Sequence, residues 1–190
     1  DYGGRISSVM DITTRDGNKK EMEGKISATP FGAKLMLEGP LKKLADDGKG
    51  SSISYLLSAK TSYLAQTSKV LYTYVDTAGL PFNYTDVFGK LTFDGSTGSK
   101  VNLFGFNFVD SVTYQAISKL KWKARGGGGN FVLVPAGSPI IISGKFSISN
   151  YQITLDDQTG VPRYSEVGGF NFGFDFKYYL QKDEIRYGIE

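Results

Sequence analysis

The sequence has no cysteine and no histidine. The first absence removes a disulfide framework and thiolate metal sites. The second removes the base of any Ser-His-Asp or Cys-His centre within the chain, and with it most zinc chemistry. An excess of one charge sign is also lacking. The 22 Lys and Arg stand against 19 Asp and Glu, the formal net charge is +3, and the two signs are interspersed. That balance, with a pI near 8.9, is too mild to argue for nucleic acid as a partner. No run of eighteen apolar residues marks a membrane helix. This absence leaves one class of membrane protein open, because a transmembrane β-barrel shows only alternating segments of ~10 residues.

What the 190 residues do contain is glycine, 24 of them, and an aromatic fraction of 14%. A helical protein of this length would be richer in Ala, Leu and Glu, so the composition favours strands and turns. The length suits one sizeable domain.

Alternation with a period of two runs through the chain. In "GGFNFGFDFKYYL" (168–180), Phe170, Phe172, Phe174, Phe176 and Tyr178 fall on one strand face; Asn171, Gly173, Asp175 and Lys177 fall on the other. The same pattern sets Ile53, Tyr55, Leu57 and Ala59 against Ser54, Ser58, Lys60 and Ser62. It sets Val87, Leu91 and Phe93 against Asp86, Lys90 and Thr92, and Phe104, Phe106 and Phe108 against Leu103, Gly105 and Asn107. It sets Ile140, Ile142, Phe146 and Ile148 against Ser143, Lys145, Ser147 and Ser149. Helical spacing fits none of these as well. Short connections carry turn chemistry at 94–100, 134–139 and 181–184. Long connections are expected at 65–84, around 111–129 and at 156–166. The two kinds alternate, as in a meander with tight turns at one rim and long loops at the other.

A row of aromatics must lie against something apolar, either a protein core or lipid. A soluble sandwich also alternates, but its outer face is usually dense in Lys, Glu, Asp and Thr. Here the polar faces hold Ser, Gly, Asn and single charges, while the apolar faces hold Phe and Ile, with Tyr63 and Tyr178 near strand ends. Both readings stay open on this pattern, and the lipid reading leads. It assigns Phe104, Phe106, Phe108, Ile140, Ile142, Phe146, Phe170, Phe172, Phe174, Phe176 and Tyr178 to acyl chains.

Smaller motifs are weaker. "RGGGGN" (125–130) lacks the following helix and Lys-Ser/Thr pair of a phosphate loop and reads as an extracellular loop. "NYT" (83–85) matches a glycosylation sequon by chance. Asp46–Asp47 and Asp156–Asp157 lack calcium-loop spacing, and the adjacent carboxyls of Asp183–Glu184 diverge from a tight turn. Trp122 among Lys119, Lys121, Lys123 and Arg125 suggests a solvated strand end or contact with lipopolysaccharide phosphates. Tyr72, Tyr74, Phe82 and Tyr84, in the long connection after residue 65, suit ligand contact by stacking; the same aromatics equally suit folding that loop onto its neighbours.

The opening "DYGGRISSVMDITTRDGNKKEMEGKISATPFGAKLMLEGPL" (1–41) resembles the plug-to-barrel junction of TonB-dependent outer-membrane receptors, in the form common in Bacteroidota-type bacteria. Tyr2, Gly3, Gly4 and Arg5 match the family's glycine turn, Ser7 through Arg15 its last plug strand, and "DGN" (16–18) its hinge. The resemblance is specific over residues 1–41 and generic beyond. It implies an all-β fold: an antiparallel meander of about eight or nine strands from a transmembrane β-barrel (19–190), preceded by the end of a plug domain (1–18). It implies ligand import across a bacterial outer membrane, the ligand being a glycan, peptide or metal chelate, with no enzyme activity and no cofactor. The implied partners are outer-membrane lipid and lipopolysaccharide, an energy-coupling TonB complex reached through plug residues outside this sequence, and a surface lipoprotein. On this view the chain is a piece of a longer receptor. Lone charges on a Ser/Gly face must be solvated or paired, so Arg5, Asp11, Arg15 and Asp16 are expected to pair with the wall residues Lys60, Asp86, Lys90, Lys145 or Asp175. Two rivals remain: a small self-closed outer-membrane barrel with a structural or adhesive role, and a soluble β-sandwich binding module.

Overall fold

A computed structural model describes residues 12–46, 48, 50–72, 80–114, 118–157 and 161–190. Nine strands form one antiparallel sheet in chain order. They are β1 (Glu23–Thr29), β2 (Gly32–Lys42), β3 (Ser52–Ser62), β4 (Phe82–Asp94), β5 (Lys100–Tyr114), β6 (Ser118–Leu133), β7 (Ile140–Asp157), β8 (Arg163–Tyr179) and β9 (Glu184–Ile189). Each pairs only with its sequence neighbours, so the sheet is an open meander.

Turn chemistry fixes the register. Thr29 pairs with Gly32 across the first hairpin, and its hydroxyl accepts from the Phe31 and Gly32 amides at 3.2 and 3.3 Å. Gly98 and Gly137 take φ of 89° and 71° in the turns before β5 and β7, a region that favours glycine. Pro40 sits where β1 no longer runs alongside β2, next to a bulge at 40–42. That is where a strand tolerates a residue with no amide proton.

The expected long connections are shorter than the composition suggests. β5 and β6 run on to Tyr114 and from Ser118, so Arg125–Asn130 lies within a strand and not in a loop. The physical reason is cross-strand packing. A Cβ at Gly126 would stand 2.9 Å from the Phe106 ring, and one at Gly129 would stand 2.8 Å from Leu103 and 3.0 Å from Phe146. Side chains of β5 and β7 thus cover backbone that β6 leaves bare. The stretch from residue 65 begins with a helix, α1 (Leu64–Leu71). Thr67 Oγ1 donates to the Pro30 carbonyl at 2.6 Å, seating α1 on the β1–β2 hairpin tip. Residues 12–15, expected to end a plug strand, have no strand structure.

Burial is inverted relative to a soluble domain. Among the described residues only Leu56 is a buried hydrophobic, whereas Glu38, Ser52, Ser54, Ser62, Ser68, Lys90 and Thr92 are all buried. Phe170 is 68% exposed. The accessible surface is 13265 Å², against about 9,000 Å² for a compact monomer of this length. The uncovered faces of a single sheet contribute to that excess.

Candidate functional site

Cross-strand register assigns every side chain to a face. Glu38, Leu56, Lys90, Phe104, Gly128, Ser147 and Asn171 stand opposite one another in one row across β2–β8. Their face is the one the N-terminal segment 12–22 covers, and it is called inner here.

Segment 12–22 is held on the inner face by charge. Arg15 binds Glu38 in bidentate fashion, one contact at 2.6 Å, and the Asn18 amide donates to Glu38 Oε2 at 3.0 Å. Glu38 is only 3% exposed. Asp16 receives Lys90 at 3.0 Å, Lys100 at 2.5 Å and the Thr92 hydroxyl at 3.3 Å. Burial pushes the Asp16 carboxyl up, but hydrogen bonds from Lys100 and Lys90 outweigh it and hold the pKa at about 2. Lys90 also donates to the Thr14 carbonyl at 2.8 Å, and Lys19 reaches Asp94 at 2.8 Å. Three strands, β2, β4 and β5, thereby grip five residues of the segment: Thr14, Arg15, Asp16, Asn18 and Lys19.

The outer face divides into two zones. Towards the short turns it is apolar: Tyr55, Leu91, Leu103, Gly129, Phe146 and Phe172 form one row, and Leu133, Ile142, Phe176 and Tyr187 form another. On β7 this zone runs from Ile140 to Ile148 and on β8 from Phe170 to Tyr178, about 27 Å along each strand. Allowing for strand tilt, that approaches the ~25 Å apolar band of an outer-membrane barrel. Above it the face turns polar within one row: Asn107, Arg125, Asn150 and Gly168 stand side by side. Lys119, Lys121, Lys123 and Arg125 then occupy alternate positions of β6 on this same face.

The inner face does the reverse. Towards the loop rim it becomes aromatic, and an open depression of about 510 Å³ is lined by Phe82, Tyr84, Phe108, Asp110, Trp122 and Tyr151 among others. Asp110 stands directly opposite Tyr84 on one side and Trp122 on the other.

Comparison with family models, with curated proteins and with solved structures gives no match. The functional reading therefore rests on the chain itself.

Set against the sequence, the expected sites separate. Ile140, Ile142, Phe146, Phe170, Phe172, Phe174, Phe176 and Tyr178 share the outer face. Phe104, Phe106 and Phe108 do not; they lie on the inner face, opposite Gly128, Gly126 and Ala124. One surface cannot hold both sets, so the expectation that all eleven residues share one apolar face is corrected. Trp122 likewise faces inward, away from the lysines that flank it in sequence. Phe82 and Tyr84 belong to β4 and line the depression, while Tyr72 stacks on Phe31 at 6.2 Å. Tyr74 lies outside the described residues, as do Arg5 and Asp11. Arg15 and Asp16 do pair with the sheet. Asp175 pairs instead with Arg186 of the adjacent strand at 3.2 Å. Tyr63 serves the hairpin, its hydroxyl donating to the Gly32 carbonyl at 3.1 Å. Sequence reading missed Glu38 and Lys100. The available signal for Glu38 was a lone acid in the apolar run "LMLEGPL".

Proposed function

We propose that this sheet is a wall segment of a transmembrane β-barrel in a bacterial outer membrane, and that the chain acts in import of a scarce ligand, as in TonB-dependent receptors. The observation that carries the reading is the reversal of polarity between faces: an apolar outer band beside an inner face whose buried side chains are, apart from Leu56, charged or hydroxylic. A sheet with lipid outside and a polar plug inside needs that arrangement. Segment 12–22 then is the junction between plug and wall, anchored by Arg15–Glu38 and by Asp16 with Lys90 and Lys100. Energy for transport comes from a partner complex acting through plug residues, and the chain performs no catalysis.

The basic ladder on β6 supports the same orientation. It adjoins the apolar band on its own face and on the loop side, where lipid headgroup phosphates of an outer leaflet would lie. The soluble sandwich fits less well, because it would have to bury the Phe170–Tyr178 row under chain that none of the described residues supplies.

The test is permeability. Cells producing the full native polypeptide with Asp16→Lys should admit a large antibiotic that the outer membrane normally excludes, because the plug junction is repelled by Lys90 and Lys100. Unchanged exclusion, with the variant present at normal level in the outer membrane, would overturn the plug assignment. Recovery of the unmodified protein without detergent would overturn the membrane assignment.

A further inference from the structure

The loop-rim depression holds a carboxylate that no cation among the described residues contacts directly. Among the described residues Asp110 makes no salt bridge and no hydrogen bond. The neighbouring carboxylate, Asp86, is already bound by Lys60 at 2.9 Å, and Lys60 in turn lies 5.4 Å from the centroid of the Tyr84 ring. Both members of that pair lie near enough to act on Asp110 through their charge, Asp86 opposing its ionisation and Lys60 favouring it, and the groups directly around it are apolar or aromatic. Tyr84 and Trp122 stand opposite it on β4 and β6, and Phe108 and Val112 flank it on its own face of β5. Opposed side chains on adjacent strands have Cβ atoms ~5 Å apart, so both rings lie beside the carboxylate.

We propose that this depression binds a small organic cation, a protonated or quaternary amine on an apolar body, with Asp110 as its counter-ion and Tyr84 and Trp122 as flanking rings. A cation gains from the carboxylate and from the faces of the rings together, whereas a neutral ligand gains only from the rings. A saccharide would need several convergent polar groups. Asn83 and Ser111, also at the rim, belong by register to the other face of the sheet. The volume, about 510 Å³, suits a ligand of this size. The inference rests on the import reading only for the ligand's route, since binding to this face does not require a membrane.

Trp122 is the only tryptophan among these 190 residues, so the fluorescence lost on Trp122→Phe substitution in the full protein is the signal of this site. The purified full-length protein, in a nonionic detergent, is titrated with benzyltrimethylammonium chloride, with benzyl alcohol and with maltose. The expected result is a saturable change with the cation at least tenfold tighter than with benzyl alcohol, and none with maltose. Asp110→Asn should remove that preference, while Asp175→Asn, on the same face two strand-pairs beyond Trp122, should retain it. Equal affinity for cation and alcohol, or a response to maltose alone, would overturn the proposal. The comparison of cation with alcohol needs no variant, so misfolding of Asp110→Asn leaves the test intact. Failure here with lipid exposure of the apolar band intact would sink the cation site and not the membrane reading.

Discussion

Gly17 lies so close to β3 that a Cβ on it would stand 2.0 Å from the carbonyl oxygen of Tyr55. No side-chain rotation relieves a clash with backbone. Gly17→Ala should therefore lift the segment from the inner face at a cost of about 1–3 kcal/mol. Hydrogen exchange at the amides of Thr14 to Asn18 measures this directly. Gly169→Ala, where a Cβ meets nothing within 4 Å, should leave stability within ~0.5 kcal/mol.

The Asp16 network makes docking acid-sensitive in a defined window. The folded pKa of about 2 lies below the unfolded value of 3.8, so the carboxylate's contribution is complete above roughly pH 4 and is lost as pH falls through 2. Its size is about 2 kcal/mol. Protection at Thr14–Asn18, taken relative to the intrinsic exchange rate at each pH, should fall between pH 4 and pH 2 in the natural protein. In Asp16→Asn it should already be low at neutral pH, because Lys90 is left without an anion, and it should lack that acid step.

Charge placed on the two faces should have opposite consequences. Phe172→Lys puts an ammonium in the apolar band and should cost about 2–4 kcal/mol of folding into a bilayer. Phe108→Lys, on the inner face, should cost much less. Urea-dependent folding into lipid vesicles compares them.

The β6 ladder predicts a salt-dependent affinity for phosphate-bearing lipid. Replacing Lys119, Lys121, Lys123 and Arg125 together by Gln should reduce binding of lipopolysaccharide at least tenfold, since each charge near such a surface contributes about 1 kcal/mol. The loss should shrink as salt rises. Retained affinity at low salt would place the lipid contact elsewhere.

Strands were legible in the sequence wherever one face alone was apolar. The row from Phe170 to Tyr178 and the Ile140–Ile148 segment needed only a period of two. β5 defeated the method because Leu103 and Phe104 are both apolar, and local alternation cannot say which joins the neighbours' apolar face. Register decides it: Phe104 stands between Lys90 and Gly128. The glycine run in β6 reads as a loop because glycine has low strand preference, and only rings from adjacent strands make it a strand. Charge pairing of the N-terminal segment was legible in kind. Its partner Glu38 was not, because a contact between residues 23 apart leaves no local pattern.

The central claim is that the apolar face lies against lipid. These 190 residues have no cysteine, so single cysteines carrying a nitroxide can be placed one at a time from Gly168 to Tyr178 in the full protein, with any cysteine elsewhere replaced by serine, and reconstituted in lipid vesicles. The account predicts that Phe170, Phe172, Phe174 and Phe176 positions are open to oxygen from the bilayer, while Asn171, Gly173 and Asp175 positions are not and instead meet a water-soluble relaxant or packed protein. An apolar row closed to oxygen, with no alternation along the strand, would mean that those aromatics face protein and would contradict it.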